Sequence, residues 1–150
     1  MIRVGKLESK KDSSFFLTLN EFMKLEHVAL QVPDALAMGR WYAEHLGLTF
    51  KVNSTEKPFG QFLLDESGTV LLELYSFEDV PTPDYSSADP RVVHLAWLSD
   101  DLAADVDRLV AAGATVHAAP ATIANGDEIA MLRDPWGICL QLVKRAQPFF

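Results

Sequence analysis

The sequence predicts an α+β fold in which two β-α-β-β-β modules form a curved mixed sheet around a concave cavity, with the helices outside. One observation behind this prediction is that the order of strand-like and helix-like segments in the first half of the chain recurs in the second. The other is that polar residues inside apolar runs recur at nearly one offset, His27 with His94 and Glu73 with Gln141. Such a repeat indicates two copies of one supersecondary unit, each too small to bury its sheet alone.

The first module is expected at residues 23–77. An apolar-rich strand over 25–32 is followed by Asp34, a suitable N-cap for a helix over 35–46 whose apolar residues recur at helical spacing. Gly47 provides a left-handed C-terminal stop. Three strand-like runs separated by turn residues complete the module, at 48–53, 60–65 and 69–77.

The second module, expected at residues 92–146, repeats this order. A strand over 92–98 precedes Asp100 and Asp101, either of which can cap a helix that ends at Gly113. The apolar stripe of this helix is predicted to contain Leu102, Val106, Leu109 and Val110. The strand-like runs that follow lie at 114–118, 128–133 and 137–144.

Two further segments flank the modules. A linker over residues 78–91 is rich in Pro, Asp and Ser, which disfavours strands. Residues 1–22 form an N-terminal extension, interpreted as a simple extension, a docking arm or an upstream start that is not used in the cell. Residues 23–146 are therefore expected to form one domain.

The charge and cysteine content narrow the functional classes. The chain carries a net charge of −8, which makes it a poor partner for the phosphates of nucleic acids. It has no apolar run long enough to span a membrane. Its single cysteine, Cys139, excludes an intrachain disulfide. A cytoplasmic protein that binds neither nucleic acid nor membrane is the simplest expectation.

Strand alternation predicts where the repeated polar residues point. Neighbouring side chains on a strand face opposite sides, so His27, Glu73, His94 and Gln141 should lie opposite the bulky apolar residues that pack under the helices. All four would then face the concave side, where pseudo-twofold symmetry brings them round one point. Two imidazoles and a carboxylate are a minimal set for a divalent metal ion, and the amide offers a further oxygen.

The motifs that contain these residues resemble the vicinal-oxygen-chelate superfamily. This superfamily includes glyoxalase I, methylmalonyl-CoA epimerase, fosfomycin-resistance enzymes, extradiol dioxygenases and bleomycin-resistance proteins. The resemblance covers residues 24–145, and its carriers are LEHVAL at 25–30, WYAEHLGL at 41–48, VHLA at 93–96 and DPWGICLQL at 134–142. It implies a glyoxalase-like fold but does not by itself specify a reaction, because members share a scaffold and not a substrate.

For this chain, the resemblance implies a metal site at His27, Glu73, His94 and Gln141, and a small substrate that chelates the metal through two oxygens. The metal would be Zn, Ni, Co, Mn or Fe(II). Glyoxalase I has Glu where this chain has Gln141, and an amide cannot accept a proton at neutral pH. Glu73 would then be the catalytic proton shuttle. Glyoxalase-like relatives commonly form homodimers with shared sites, so a homodimer is expected, with the site either within one chain or between two.

Three functions remain open at this point. The first is a metal-dependent lyase or isomerase of the glyoxalase I (lactoylglutathione lyase) type. The second is an extradiol-type Fe(II) dioxygenase, since His27, His94 and Glu73 form a two-histidine, one-carboxylate set. The third is a bleomycin-resistance-like protein that binds a small molecule without chemistry.

Overall fold

A computed structural model describes residues 23–68 and 71–149. In those residues the chain forms two four-stranded mixed sheets and two helices. The first half contains β1 (Val28–Gln31), α1 (Ala35–Leu46), β2 (Thr49–Asn53), β3 (Gln61–Leu64) and β4 (Leu71–Tyr75). The second half contains β5 (Leu95–Leu98), α2 (Leu102–Ala111), β6 (Thr115–Thr122), β7 (Glu128–Arg133) and β8 (Cys139–Lys144). The predicted α+β class and the repeated β-α-β-β-β order are confirmed, while the extension at 1–22 lies outside the described residues.

Both sheets have the same topology. Their strand orders are β1-β4-β3-β2 and β5-β8-β7-β6, with one parallel pair in each, β1 with β4 and β5 with β8. The parallel registers are also equivalent, because Ala29 lies opposite Glu73 and Ala96 lies opposite Gln141. Each polar residue of the repeat therefore occupies the same place in its own sheet.

The helices begin and end where local sequence signals predict. The Asp34 side chain accepts a hydrogen bond from the Ala37 N–H, and Gly47 ends α1 in the left-handed conformation. Of the two candidate caps for α2, Asp101 is the one used. Leu102, Val106 and Leu109 are buried as predicted, whereas Val110 is exposed, so the apolar stripe of α2 is narrower than expected. No helix in the described part of the chain has the length and hydropathy to cross a membrane.

Two strands begin later than the sequence suggests. The runs predicted from residues 25 and 92 become strands only at Val28 and Leu95. In the second module, a turn occupies the difference, because the Val92 N–H donates to the Asp89 carbonyl at 2.8 Å. The strand β6 is longer than predicted and reaches Thr122 through two register shifts against β7. Both repeated histidines thus immediately precede a strand.

The two halves are held together by polar contacts between buried or half-buried groups. The Tyr42 hydroxyl donates to Asp134 Oδ2 at 2.7 Å, and the Trp41 indole N–H donates to the Ala112 carbonyl at 2.8 Å. The linker is fixed to both halves, because Tyr85 donates to the Gln31 carbonyl and the Tyr85 carbonyl accepts from an arginine of β7. The relative placement of the sheets is therefore set by specific contacts as well as by the shared apolar core.

The turns that precede β4 and β8 also repeat. The Gly68 N–H donates to the Asp65 carbonyl at 3.1 Å, and the Gly137 N–H donates to the Asp134 carbonyl at 3.0 Å. Both glycines have positive φ, 63° and 91°. Gly137 is the more constrained of the two, because a Cβ there would lie 2.8 Å from the Ser86 backbone nitrogen. The second turn thus has a packing role against the linker that the first does not share.

Candidate metal centre

One pair of predicted ligands meets on the first sheet. His27 Nε2 lies 3.2 Å from Glu73 Oε2, and both side chains are partly exposed. The parallel pairing of β1 with β4 explains this contact. Ala29 is opposite Glu73, and His27, which directly precedes β1, reaches Glu73 on the same side of the sheet. Residues 46 positions apart in the chain are thereby brought within reach of one ion.

The surroundings of His27 define how its ring is held. Its Nδ1 contacts the Glu26 carboxylate, and its ring packs edge-on against Phe62, with ring centroids 5.6 Å apart. Phe62 is opposite Glu73 in the β3–β4 register, which places it on the same face. The hydrogen bond to Glu26 is the main cause that raises the pKa of the His27 imidazole, and the negative charges of Glu26 and Glu73 act in the same direction. Partial desolvation opposes them. The site therefore favours a positive charge at His27.

The other pair of predicted ligands lies on the second sheet. His94 precedes β5, is exposed, and has its Nδ1 2.8 Å from the Pro90 carbonyl oxygen. Gln141 is half-buried in β8, with Ala96 on one side and Met131 on the other. The side chain of Gln141 thus projects from the same face as Ala96, the face opposite the buried Leu140 and Leu142.

Both histidines present the same nitrogen as a possible ligand. A carbonyl oxygen only accepts hydrogen bonds, so the contact with Pro90 requires the proton on Nδ1 of His94. The Nδ1 of His27 likewise lies against an acceptor, the Glu26 carboxylate, while its Nε2 faces the carboxylate of Glu73. In a ring whose only proton is on Nδ1, the lone pair is on Nε2. This arrangement, with one nitrogen bonded to an acceptor and the other available, is typical of metal-ligating histidines.

The separation of the donor atoms on the first sheet fits one divalent ion. Ligands bound about 2.1 Å from a metal at a right angle to each other lie about 3.0 Å apart. The 3.2 Å between His27 Nε2 and Glu73 Oε2 is close to this value. Imidazole, carboxylate and amide oxygen together suit zinc, nickel, cobalt, manganese or ferrous iron. The donor set is therefore chemically appropriate for the group that the sequence predicts.

Of the four residues, the structure brings His27 and Glu73 into contact, while His94 and Gln141 lie on the other sheet. Among the described residues, no three His, Cys, Asp or Glu side chains come together in a group that could hold a metal ion. Two surface depressions, of about 350 and 470 Å³, are lined by other residues. His27 and Glu73 alone are thus an incomplete ligand set for a metal ion.

Two contributors to the site were not anticipated from the sequence, Glu26 and Phe62. Glu26 was available as a signal, because it directly precedes His27. Its contact was not evident, since adjacent residues of a strand project to opposite faces. Phe62 could be found only through the register of β3 with β4, which depends on a turn between them.

Comparison with known proteins agrees with the fold and the repeat. The family model for the Glyoxalase/Bleomycin resistance protein/Dioxygenase superfamily matches residues 24–142, most of the chain. The chain belongs to this superfamily. No curated protein matches the sequence.

Several solved structures are similar to this chain. A glyoxalase family protein from Bacillus cereus is 18% identical, with a TM-score of 0.70, and the match covers 85% of this chain and 97% of that one. TnmS3, an antibiotic binding protein from Streptomyces sp. CB03234, is 20% identical, with a TM-score of 0.63 and coverage of 84% and 98%. A glyoxalase-related enzyme from Fulvimarina pelagi is 18% identical, with a TM-score of 0.64 and coverage of 83% and 89%. At these identities the likeness establishes the fold alone.

Proposed function

We propose that this superfamily member is a divalent-metal-dependent lyase or isomerase that acts on a small substrate with two chelating oxygens. The observation that carries the proposal is the 3.2 Å approach of His27 Nε2 to Glu73 Oε2 on the first sheet. Two donors at this separation, with the His27 ring already held at its other nitrogen, are pre-arranged to bind one ion.

We further propose that two copies of the chain complete the site. The contacts of Tyr42, Trp41 and the linker fix the two sheets of one chain relative to each other, and in the described residues no third His, Cys, Asp or Glu joins His27 and Glu73 in a metal-binding group. In a twofold-symmetric dimer, a surface on one copy meets the corresponding surface on the other. The His27–Glu73 pair of one copy would then face His94 and Gln141 of the other, giving two equivalent sites.

The chemistry assigned to the site depends on which residues can move a proton. A bound divalent ion would withdraw electron density from the substrate oxygens and so acidify the adjacent C–H. The Glu73 carboxylate would accept that proton and return it to the neighbouring carbon, which isomerises the substrate with no net loss of atoms. Gln141 would hold an oxygen ligand position without taking part in proton transfer. Phe62 and Tyr75, half-buried on the same face as Glu73, would limit access of water to the reacting carbons.

A subunit-mixing experiment tests the shared site directly. His27→Ala and His94→Ala homodimers should each lose tight cobalt or zinc binding. If the two variants are unfolded together and refolded as a mixture, half of the dimers contain one copy of each. Each mixed dimer has one intact site, so about a quarter of the wild-type metal content should return. No recovery from a mixture that forms dimers would contradict a site shared between copies.

The reaction is tested with protein whose metal content has been measured. Methylglyoxal with glutathione is the first substrate, and formation of the thioester product is followed by its absorbance. Glu73→Gln should keep a carbonyl ligand but lose turnover by about 10²–10⁴-fold, because it removes the proton acceptor. If the metal-loaded protein is inactive with methylglyoxal and glutathione, lactoylglutathione formation is excluded and other substrates with two adjacent oxygens are assayed. If Glu73→Gln turns over any substrate of the wild type at the wild-type rate, Glu73 is not the proton shuttle.

A second candidate function is small-molecule binding without chemistry. It is favoured by the absence of any three-residue His, Cys, Asp or Glu group within residues 23–68 and 71–149, together with the similarity to an antibiotic binding protein. Protein purified without chelators distinguishes the candidates. Stoichiometric zinc, nickel, cobalt or manganese supports the lyase or isomerase, air-sensitive ferrous iron supports an extradiol-type dioxygenase, and a metal-free protein that binds planar drugs supports the binding function.

A further inference from the structure

We infer that Glu26 is a positioning residue that orients His27 toward the bound ion. The inference rests on the proposed function and assigns a residue outside the four predicted ligands. Glu26 does not face the ion position itself. It contacts the opposite nitrogen of the ring, Nδ1, while Nε2 faces Glu73.

The local backbone makes this contact possible. Side chains of consecutive residues in a strand project to opposite faces, so Glu26 and His27 could not meet if both were in β1. The strand begins only at Val28, and residues 24–27 have no regular secondary structure. The Glu26 side chain can therefore bend back to the ring of its neighbour. The late start of β1, which differs from the sequence prediction, is what brings the carboxylate to His27.

The contact has two consequences for a ligand histidine. It gives Nδ1 an acceptor for its proton, which leaves Nε2 to bind an ion in place of a proton, and it fixes the rotation of the ring together with the edge contact from Phe62. A carboxylate acceptor also increases the basicity of the ligating nitrogen more than a neutral acceptor does. Loss of such an outer partner typically weakens metal binding by about 10–100-fold.

The second sheet provides an internal comparison. There the Nδ1 of His94 is held by the Pro90 main-chain carbonyl. Both rings are thus oriented through the same nitrogen, one by a side chain and the other by the backbone. Substitution of Glu26 removes the hydrogen-bond partner of His27 Nδ1 and leaves that of His94 in place. The effect of ring orientation on metal affinity can therefore be measured at Glu26.

The experiment compares cobalt affinity by visible absorbance, with a competing chelator, in wild type, Glu26→Ala and Glu26→Gln. Glu44→Ala and Glu44→Gln serve as controls, because Glu44 is an exposed carboxylate on α1. We expect Glu26→Ala to bind cobalt about 10–100-fold more weakly. Glu26→Gln should lose less, because its amide oxygen can still accept from Nδ1–H. The Glu44 variants should match wild type.

A second readout separates orientation from general damage to the fold. Long-range ¹H–¹⁵N spectra of the zinc-loaded protein should give the His27 pattern of a protonated Nδ1 and a ligated Nε2 in wild type. In Glu26→Ala the Nδ1 proton should exchange faster with water, while thermal unfolding of the apo protein is unchanged. Wild-type cobalt affinity in Glu26→Ala would overturn the inference alone. Failure of wild type to bind any divalent ion, with His27→Ala indistinguishable from it, would overturn both the inference and the proposed function.

Discussion

The bond between Tyr42 and Asp134 joins the two halves of the chain, and its removal gives a direct measure of how firmly they are coupled. Tyr42 is fully buried in α1, and its hydroxyl donates at 2.7 Å to a carboxylate in the turn before β8. The same carboxyl accepts from the backbone N–H groups of Trp136 and Ile138 through its other oxygen. Tyr42→Phe removes only the hydroxyl and leaves one carboxylate oxygen buried without this donor.

The expected loss follows from burial and charge. Hydrogen bonds to charged groups contribute about 1.5–3 kcal/mol to stability, and removal of the donor leaves a buried acceptor whose desolvation is no longer compensated. We therefore expect the free energy of unfolding to fall by about 1.5–3 kcal/mol. For a chain of this size, that corresponds to a decrease in Tm of roughly 3–12 °C.

The pH dependence of this loss has a definite sign. Burial raises the pKa of Asp134 above its usual value, and the bond from Tyr42 is the largest of the hydrogen bonds that lower it. A carboxyl whose pKa is raised in the folded state is stabilised by protonation, so its contribution to stability falls as pH rises through that pKa. Tyr42→Phe raises the pKa of Asp134 further. The destabilisation should therefore be larger at about pH 7 than at about pH 4.

The assay is urea denaturation of wild type and Tyr42→Phe at the two pH values, followed by far-ultraviolet circular dichroism. Tyr85→Phe is the matched comparison, because the hydroxyl of the buried Tyr85 donates to a neutral acceptor, the Gln31 carbonyl, at 2.9 Å. That variant should lose only about 0.5–1.5 kcal/mol and without the same pH trend. A Tyr42→Phe effect below that of Tyr85→Phe, or one that decreases toward neutral pH, would refute the reasoning.

Three further predictions concern the site, the turn and the C-terminal segment. Gln141→Glu should keep the fold and tighten zinc binding, because it adds a charged ligand; calorimetric titration that finds weaker binding would place residue 141 away from the ion. Gly137→Ala should lower the free energy of unfolding by roughly 2 kcal/mol or more, because the new methyl group meets the Ser86 backbone at a position with positive φ. Gly68→Ala, which has positive φ but open space around it, should cost about 1–2 kcal/mol, and thermal melts of both variants measure the difference. Hydrogen bonds from a backbone N–H and an arginine lower the pKa of Asp127, so its contribution to folding stability is present above about pH 4 and is lost as pH falls further. In Asp127→Asn the free energy of unfolding should therefore fall less steeply with pH below about pH 4 than in wild type. Equal slopes for the two proteins would contradict this prediction.

Prediction from the sequence succeeds where the determining residues are close together in the chain. The cap at Asp34 and the stop at Gly47 depend on groups within one helical turn, and α1 begins and ends as predicted. The turns at Asp65–Gly68 and Asp134–Gly137 are likewise local, because each is closed by a hydrogen bond between residues three positions apart. Prediction failed at Val110, which was expected in the buried stripe of α2 and is exposed, because the width of a buried helical stripe depends on what the helix packs against.

For the candidate site, alternation and the repeat were enough to select His27, Glu73, His94 and Gln141. They were not enough to determine which of these residues meet. The contact between His27 and Glu73 follows from the parallel neighbours β1 and β4, whose register is set by the whole sheet. That all four converge round one point stays a prediction, and the described part of one chain shows only the contact of His27 with Glu73.

The sequence by itself thus determined the two modules, their helix ends, the polar residues on one face of each sheet and the family to which they are similar. The tertiary structure decided the contact between His27 and Glu73, the late start of β1 that brings Glu26 to His27, and the bond between Tyr42 and Asp134. The physical reason is the distance along the chain between the residues that interact. Capping and alternation act over a few residues, whereas the Tyr42–Asp134 contact joins residues 92 positions apart and exists only after both sheets have packed on a common core.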